Sequence, residues 1–180
     1  MKIIVVLCDP VKRAVSLYTH YNSQPVPTLA PFTDLVQIQD GHLVEKPHAW
    51  PQKFIECGLY AKFIREWLKY FPKQQMTFVS GEQLISNPVK EASKVLEFLG
   101  HPNELSEDNL YKDQKSNFYC FKSNGGSHWC LNRKTKGRKH PKVPQELIKA
   151  LQNHYQPHNE ELKQLIGRDF GWPVYIGQKN

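Results

Sequence analysis

The spacing of apolar positions changes period along this chain, and the changes mark its elements. Residues 2–7 are a continuous run rich in β-branched side chains, the pattern of a buried parallel strand. Asp9-Pro10 follows as a turn and helix start, and residues 11–21 read as a helix. Strand, short turn and helix N-terminus in that order make a standard place to hold a phosphate. Residues 24–53, rich in Pro, Gln, Asp and His, read as a loop with at most one short helix near 32–38. Residues 54–71 carry Leu59, Phe63, Trp67 and Tyr70 at helical spacing, with Lys62, Arg65, Glu66 and Lys69 opposite. This is expected to be the longest helix, stopped by Pro72.

Residues 75–80 give a second short strand, and Gly81-Glu82 turns into a small helix ending near Asn87-Pro88. Residues 89–99 are amphipathic and close at Gly100. A polar stretch, 101–116, leads to a hairpin over 118–130 with an Asn-Gly-Gly turn. Two further helices are expected, 144–153 and 156–166, before the Asp169-Phe-Gly-Trp-Pro173 ending. No repeat or low-complexity linker interrupts the chain, so residues 1–180 are expected to form one domain. Only two core strands are evident, whereas an α/β sheet usually has about four to six. The chain therefore reads as starting partway through a fold.

The chain has 180 residues, 39% of them hydrophobic and 12% aromatic, enough to bury a core and too apolar for a disordered segment. The net charge of +7 favours an acidic partner. Charge alone leaves nucleic acid, an anionic polysaccharide, a nucleotide cofactor and an anionic membrane open. The longest apolar run, residues 3–8, is far too short to span a bilayer, and Met1-Lys2 leaves no room for a signal peptide before it.

Four cysteines without Cys-x-x-Cys spacing argue against a metal centre. Cys8 and Cys57 read as small buried residues. Cys120 and Cys130 bracket the hairpin; if they pair, they close a short loop before the segment Cys130-Leu-Asn-Arg-Lys-Thr-Lys-Gly-Arg-Lys-His-Pro141 and place the domain in an oxidising compartment. That segment is a basic loop around one glycine. Gly137 lets the main chain approach an anion, and Lys136, Arg138 and Lys139 supply charge from both sides. Taken alone, it reads more readily as a solvated surface run.

The stretches Ile3-Ile-Val-Val-Leu-Cys-Asp-Pro-Val-Lys-Arg-Ala-Val-Ser-Leu-Tyr18, Gly58-Leu-Tyr60, Trp67-Leu-Lys-Tyr-Phe-Pro72, Phe78-Val-Ser-Gly-Glu-Gln-Leu-Ile-Ser-Asn-Pro88, Phe118-Tyr-Cys120 and Thr135-Lys-Gly-Arg-Lys-His-Pro141 occur in an order that resembles the heparan sulfate sulfotransferases. The resemblance runs from Lys2 to Pro173 and is strongest to the glucosamine 3-O-sulfotransferase branch. The N-sulfotransferase domain is the nearest relative of that branch. The resemblance implies a P-loop-like α/β sulfotransferase domain, a parallel sheet flanked by helices. It also implies transfer of a sulfuryl group from 3′-phosphoadenosine 5′-phosphosulfate (PAPS) to a glucosamine of heparan sulfate.

The resemblance assigns Ser16 to the cofactor's 3′-phosphate, Tyr119 to a position near the nucleotide, and Lys136, Gly137, Arg138, Lys139 and His140 to the loop that closes over it. His20 takes the place of a glutamine near the acceptor. Pairing of Cys120 with Cys130 is expected, no metal is, and the full-length protein is expected in the Golgi lumen, with any membrane anchor outside this chain.

Three departures stand out. Cys8 replaces an arginine that many members carry, which removes a charge-assisted contact worth about 1.5–3 kcal/mol. Asp113-Gln-Lys-Ser-Asn117 replaces a more regular Asn-Lys-Thr-Lys-Gly. The family's Lys-Gly-Gly-Thr-Arg phosphosulfate loop and its catalytic glutamate precede the segment matched by Lys2, and nothing here matches them. The chain is thus expected to be a C-terminal part of the domain, with no catalytic residue of its own and no activity alone. An N-sulfotransferase-type activity and a noncatalytic heparan sulfate binder are the alternatives. A nucleic-acid module is disfavoured by dispersed cations without a recognition motif.

Overall fold

A computed structural model describes residues 1–24, 29–47, 53–114, 118–122, 128–130 and 138–174. The chain divides into two compact units, Met1–Cys8 with Phe71–Arg138, and Asp9–Tyr70 with Lys139–Asn180.

In the first unit, β1 (Ile3–Leu7) pairs in parallel with β4 (Met76–Ser80), from Ile3 opposite Met76 to Leu7 opposite Ser80. Both strands stand where the sequence places them, over 2–7 and 75–80. β1 is not buried on both faces, however: Ile4 and Val6 are exposed while Leu7 is buried. β4 runs straight into α4 (Gly81–Ser86), and the turn is held from three sides. The Ser80 hydroxyl caps the helix by accepting from the Gln83 amide at 3.2 Å. The Ser80 amide donates to the buried Glu91 carboxylate at 2.7 Å, and Lys94 pairs with the same carboxylate at 2.8 Å. Gly81 makes room for the Cys8 sulfur, which a Cβ there would meet at 2.3 Å unless the thiol turned away. α5 (Pro88–Leu99) is capped by the Asn87 side chain and ends at Gly100 in the left-handed region, φ 79°, as its sequence predicts. An antiparallel sheet, β5 (Leu110–Lys112), β6 (Tyr119–Lys122) and β7 (His128–Trp129), completes this unit. β5 lies in the stretch expected to be merely polar.

The second unit is built on α1 (Pro10–Asn22), α3 (Tyr60–Leu68) and α6 (Gln145–Ile166). Its core combines Val11, Ala14, Val15 and Tyr18 of α1 with Phe32, Phe54 and Ile55 and with Leu147, Leu151 and Tyr155 of α6. Tyr18 meets Phe32 and Phe54 edge-on, with ring centroids 5.4 and 5.9 Å apart.

Three expectations fail here. The 24–53 stretch holds α2 (Phe32–Leu35) but also a hairpin, β2 (Val36–Gln39) and β3 (His42–Glu45). Its two-residue turn is Asp40-Gly41 with φ of 49° and 77°, the signature of a twist-matched hairpin loop. The 54–71 stretch is a short 3₁₀ turn, Glu56–Gly58, followed by a nine-residue α3, and it buries Tyr60, Ala61 and Ile64. Phe63, Trp67 and Tyr70, assigned to the apolar side, are exposed. The third concerns the last two helices, which are one: α6 runs through Pro157 for 22 residues, about 33 Å. Leu147, Leu151, Tyr155, Leu162 and Ile166 recur on one buried face on both sides of the proline, so burial outweighs the backbone bond that proline removes.

Tyr155 is fully buried and donates to the Ile55 carbonyl at 2.9 Å. Gly58 lies against it so closely that a Cβ would come within 2.7 Å of the ring. Gly58→Ala is therefore expected to destabilise the protein by about 1–3 kcal/mol through overpacking. A urea titration showing an unchanged midpoint would remove this account of the contact.

His154, beside Tyr155 on α6, has its pKa lowered, first by burial and then by the neighbouring His158. Its Nε2 is buried with no hydrogen-bond partner among the described residues. The unfolded chain thus takes up a proton at a pH where folded His154 still resists it, so stability rises with pH through this window. Stability is expected to fall as pH drops below about 6.5, and the slope to flatten in His154→Gln. Parallel slopes for the two proteins between pH 5 and 7 would count against it.

Candidate functional site

The helix start after β1 is shaped by its own side chains. Pro10 has no amide to offer, and the buried Asp9 carboxylate accepts the Val11 amide at 2.9 Å. A phosphate at the first turn would meet that carboxylate. What α1 presents instead is an exposed face four residues in repeat, Lys12, Ser16 and His20, with Ser16 about 9 Å along the axis from the helix start. Ser16 and His20 are therefore neighbours on one face of the second unit. Arg13 lies inward of this face, beside Cys57, whose thiol burial pushes up and Arg13 pulls down. Cys8 and Cys57 are half-buried thiols rather than fully buried ones.

In the first unit, Tyr119 is half-buried on β6 directly opposite Lys112, whose ammonium lies 5.4 Å from the ring centroid. Cys120 and Cys130 are joined by a disulfide, with Cα atoms 4.4 Å apart. The bond ties β6 to the residue that follows β7, immediately before the basic segment. Closing a loop of this length contributes about 3 kcal/mol in the chain-entropy account. Of the basic segment, Arg138 is half-buried and Lys139 and His140 are exposed. Lys136 and Gly137 lie outside the described residues. None of Ser16, Arg138, Lys139 and His140 is committed to a hydrogen bond or ion pair with another described residue.

The Asp169-Phe-Gly-Trp ending is anchored rather than loose. Lys163 pairs with Asp169 at 2.8 Å, which holds the carboxyl below its usual range and the ammonium above its own. Asp169 also accepts the Gly171 amide at 2.8 Å. Phe170 stacks on Trp172 at 4.7 Å, Arg168 lies over the Phe170 ring, and Trp172 reaches Tyr60 at 5.7 Å. A cavity of about 270 Å³ beside this ending is lined by Lys163, Arg168 and Trp172 among others, none of them a candidate cofactor residue. No group of three or more metal-binding side chains gathers among the described residues.

Sequence reasoning passed over the sheet face beyond Tyr119, where Phe121 and Trp129 stand exposed. The alternation of Tyr119 and Phe121 along β6 was the signal available for it.

A parallel strand pair feeding helices is consistent with a sulfotransferase fold. The Sulfotransferase domain family matches residues 1–166, and the chain belongs to that family. A sulfotransferase from Alicyclobacillus acidocaldarius shares the fold at a TM-score of 0.57 and 20% identity, over 94% of this chain and 56% of that one. Heparan sulfate glucosamine 3-O-sulfotransferase 3B1 of Mus musculus is 41% identical over 174 residues, 95% of this chain and 43% of the relative. Heparan sulfate glucosamine 3-O-sulfotransferase 6 of Homo sapiens is 40% identical over 172 residues, covering 95% and 49%. The chain thus spans about half the length of these relatives.

Thiol titration of the native chain is expected to find two reactive groups after unfolding without reductant, Cys8 and Cys57, and four after reduction. Four before reduction would contradict the disulfide.

Proposed function

We propose that this chain serves PAPS-dependent sulfuryl transfer to the 3-O position of glucosamine in heparan sulfate, as its cofactor-holding part. The observation that carries the reading is identity of about 40% to 3-O-sulfotransferases over 95% of the chain. The same names favour 3-O over N-sulfation.

The donor set suits an anionic nucleotide. Ser16 offers a hydroxyl to the 3′-phosphate, with Lys12 one turn before it on the same exposed face. Tyr119 offers a ring to the base or ribose. Lys136, Arg138, Lys139 and His140 offer cations, and Gly137 a backbone that permits close approach. PAPS, when bound, supplies the sulfuryl group. With PAPS bound, the acceptor hydroxyl would take the sulfuryl group from the phosphate oxygen and release the adenosine bisphosphate product (PAP); the acceptor's proton needs a base, and none of the residues assigned here supplies it. Cations around the bisphosphate stabilise the charge that accumulates on it. His20, exposed on the Ser16 face, is proposed to contact the acceptor. The disulfide supports an oxidising secretory compartment, with the Golgi lumen as the proposed location.

Arg138→Ala is expected to weaken PAP binding by 10- to 100-fold, the loss of one charge-assisted contact of about 1.5–3 kcal/mol. Circular dichroism should remain native. Calorimetry giving an unchanged affinity would remove Arg138 from the site. Heparin binding with no PAP binding in the native chain would favour the noncatalytic polysaccharide binder.

A further inference from the structure

Directly opposed residues in an antiparallel sheet share a face. Leu110 pairs with Phe121 and Phe121 with Trp129, while Lys112 pairs with Tyr119. Tyr119, Phe121, Trp129 and Lys112 therefore lie on one face of β5–β7. Phe121 is 51% exposed and Trp129 64%. Their centroids are 6.2 Å apart and their planes inclined by 36°, so the two rings form a shallow trough. The trough is also rigidly mounted, since Phe121 follows Cys120 and Trp129 precedes Cys130, the two ends of the disulfide.

We propose that Phe121 and Trp129, with Lys112 at their margin, form a stacking subsite for a pyranose ring of an acidic polysaccharide, an inference that rests on the polysaccharide reading above. The size of the surface selects this occupant. Two aromatic side chains exposed to this extent offer about 200 Å², well short of the roughly 800 Å² per partner of a stable protein interface. That area suits the C–H face of one or two sugar rings. The exposed Lys112 ammonium, 5.4 Å from the Tyr119 ring, stands ready for a sulfate or carboxylate on the same sugar chain. The net charge of +7 draws such a chain in. Tyr119 is two residues from Phe121 on the same face, about 7 Å along the strand, so the subsite continues from the aromatic position proposed for the nucleotide.

The experiment titrates the 180-residue chain with a heparin hexasaccharide, with PAP and with a single-stranded deoxyoligonucleotide, across a salt series. Trp129→Ala and Phe121→Ala are each expected to weaken hexasaccharide binding about 10-fold while PAP affinity moves less than twofold. Trp129→Tyr, which keeps a ring, should stay within about threefold of native. The salt slope should be unchanged in Trp129→Ala, which removes no charge, and smaller by about one in Lys112→Gln by the counterion-release argument for polyanions. Native-like hexasaccharide affinity in both alanine variants would overturn the subsite and leave the polysaccharide reading standing. Absence of hexasaccharide binding in the native chain would sink both. Tighter oligonucleotide binding lost with the same variants would reassign the platform to base stacking.

Discussion

Tyr155 sets the terms for the second unit. Its ring is fully buried among α1, the segment before α3 and the Leu147–Leu151 face of α6, and its hydroxyl must find an acceptor because an unpaired phenol at that depth is costly. The Ile55 carbonyl supplies it at 2.9 Å. That one bond fixes how residues 54–58 cross α6, and it explains why residue 58 is glycine. Glu45 then caps the same segment, accepting the Phe54 and Ile55 amides at 2.6 and 3.1 Å. The hairpin that ends at Glu45 is thus held to the core through this carboxylate as well as through Val36 and Leu43. Burial in this company, with Glu45 nearby, pushes the Tyr155 phenol far above its ordinary range, so it stays a donor at every physiological pH.

The first unit solves the corresponding problem with a buried carboxylate. Glu91 receives the Ser80 amide and the Lys94 ammonium, and the Ser80 hydroxyl closes the first turn of α4. A strand that must turn at once into a helix leaves unpaired amides; Glu91 and the Ser80 hydroxyl answer two of them, and Lys94 balances the Glu91 charge. Ser16, Arg138, Lys139 and His140 hold no described partner, while the charged residues of the ending, Lys163 and Asp169, are spent on each other.

Where local chemistry was strong, the sequence was readable. The β-branched run of β1, the short strand β4, the Asp9-Pro10 helix start and the Gly100 stop each reflect a rule that acts over a few residues. The β2–β3 hairpin was also locally encoded, in Asp40-Gly41 between alternating residues, but a polar and proline-bearing neighbourhood hid it. α3 and α6 were decided elsewhere. Phe63, Trp67 and Tyr70 share a helical stripe, yet the packing partners meet the Tyr60, Ala61 and Ile64 side, so the larger side chains face solvent. Pro157 marks a break for any local rule, yet the apolar face continues past it and the helix with it.

The sequence alone determined the class of chemistry: a basic loop around Gly137, a serine-bearing helix after a β-branched strand, and a cysteine pair ten residues apart, in the order of one enzyme family. Those signals are local or depend on order along the chain, and both survive without coordinates. Only the tertiary structure decided which aromatics became core and which became surface. Phe32 and Trp129 are equally apolar on paper, but one is 2% exposed in the α1–α6 core and the other 64% exposed beside a disulfide. Burial depends on what another part of the chain brings to the same place, and cross-strand pairing left Phe121 and Trp129 exposed on the face where their neighbour Leu110 is buried.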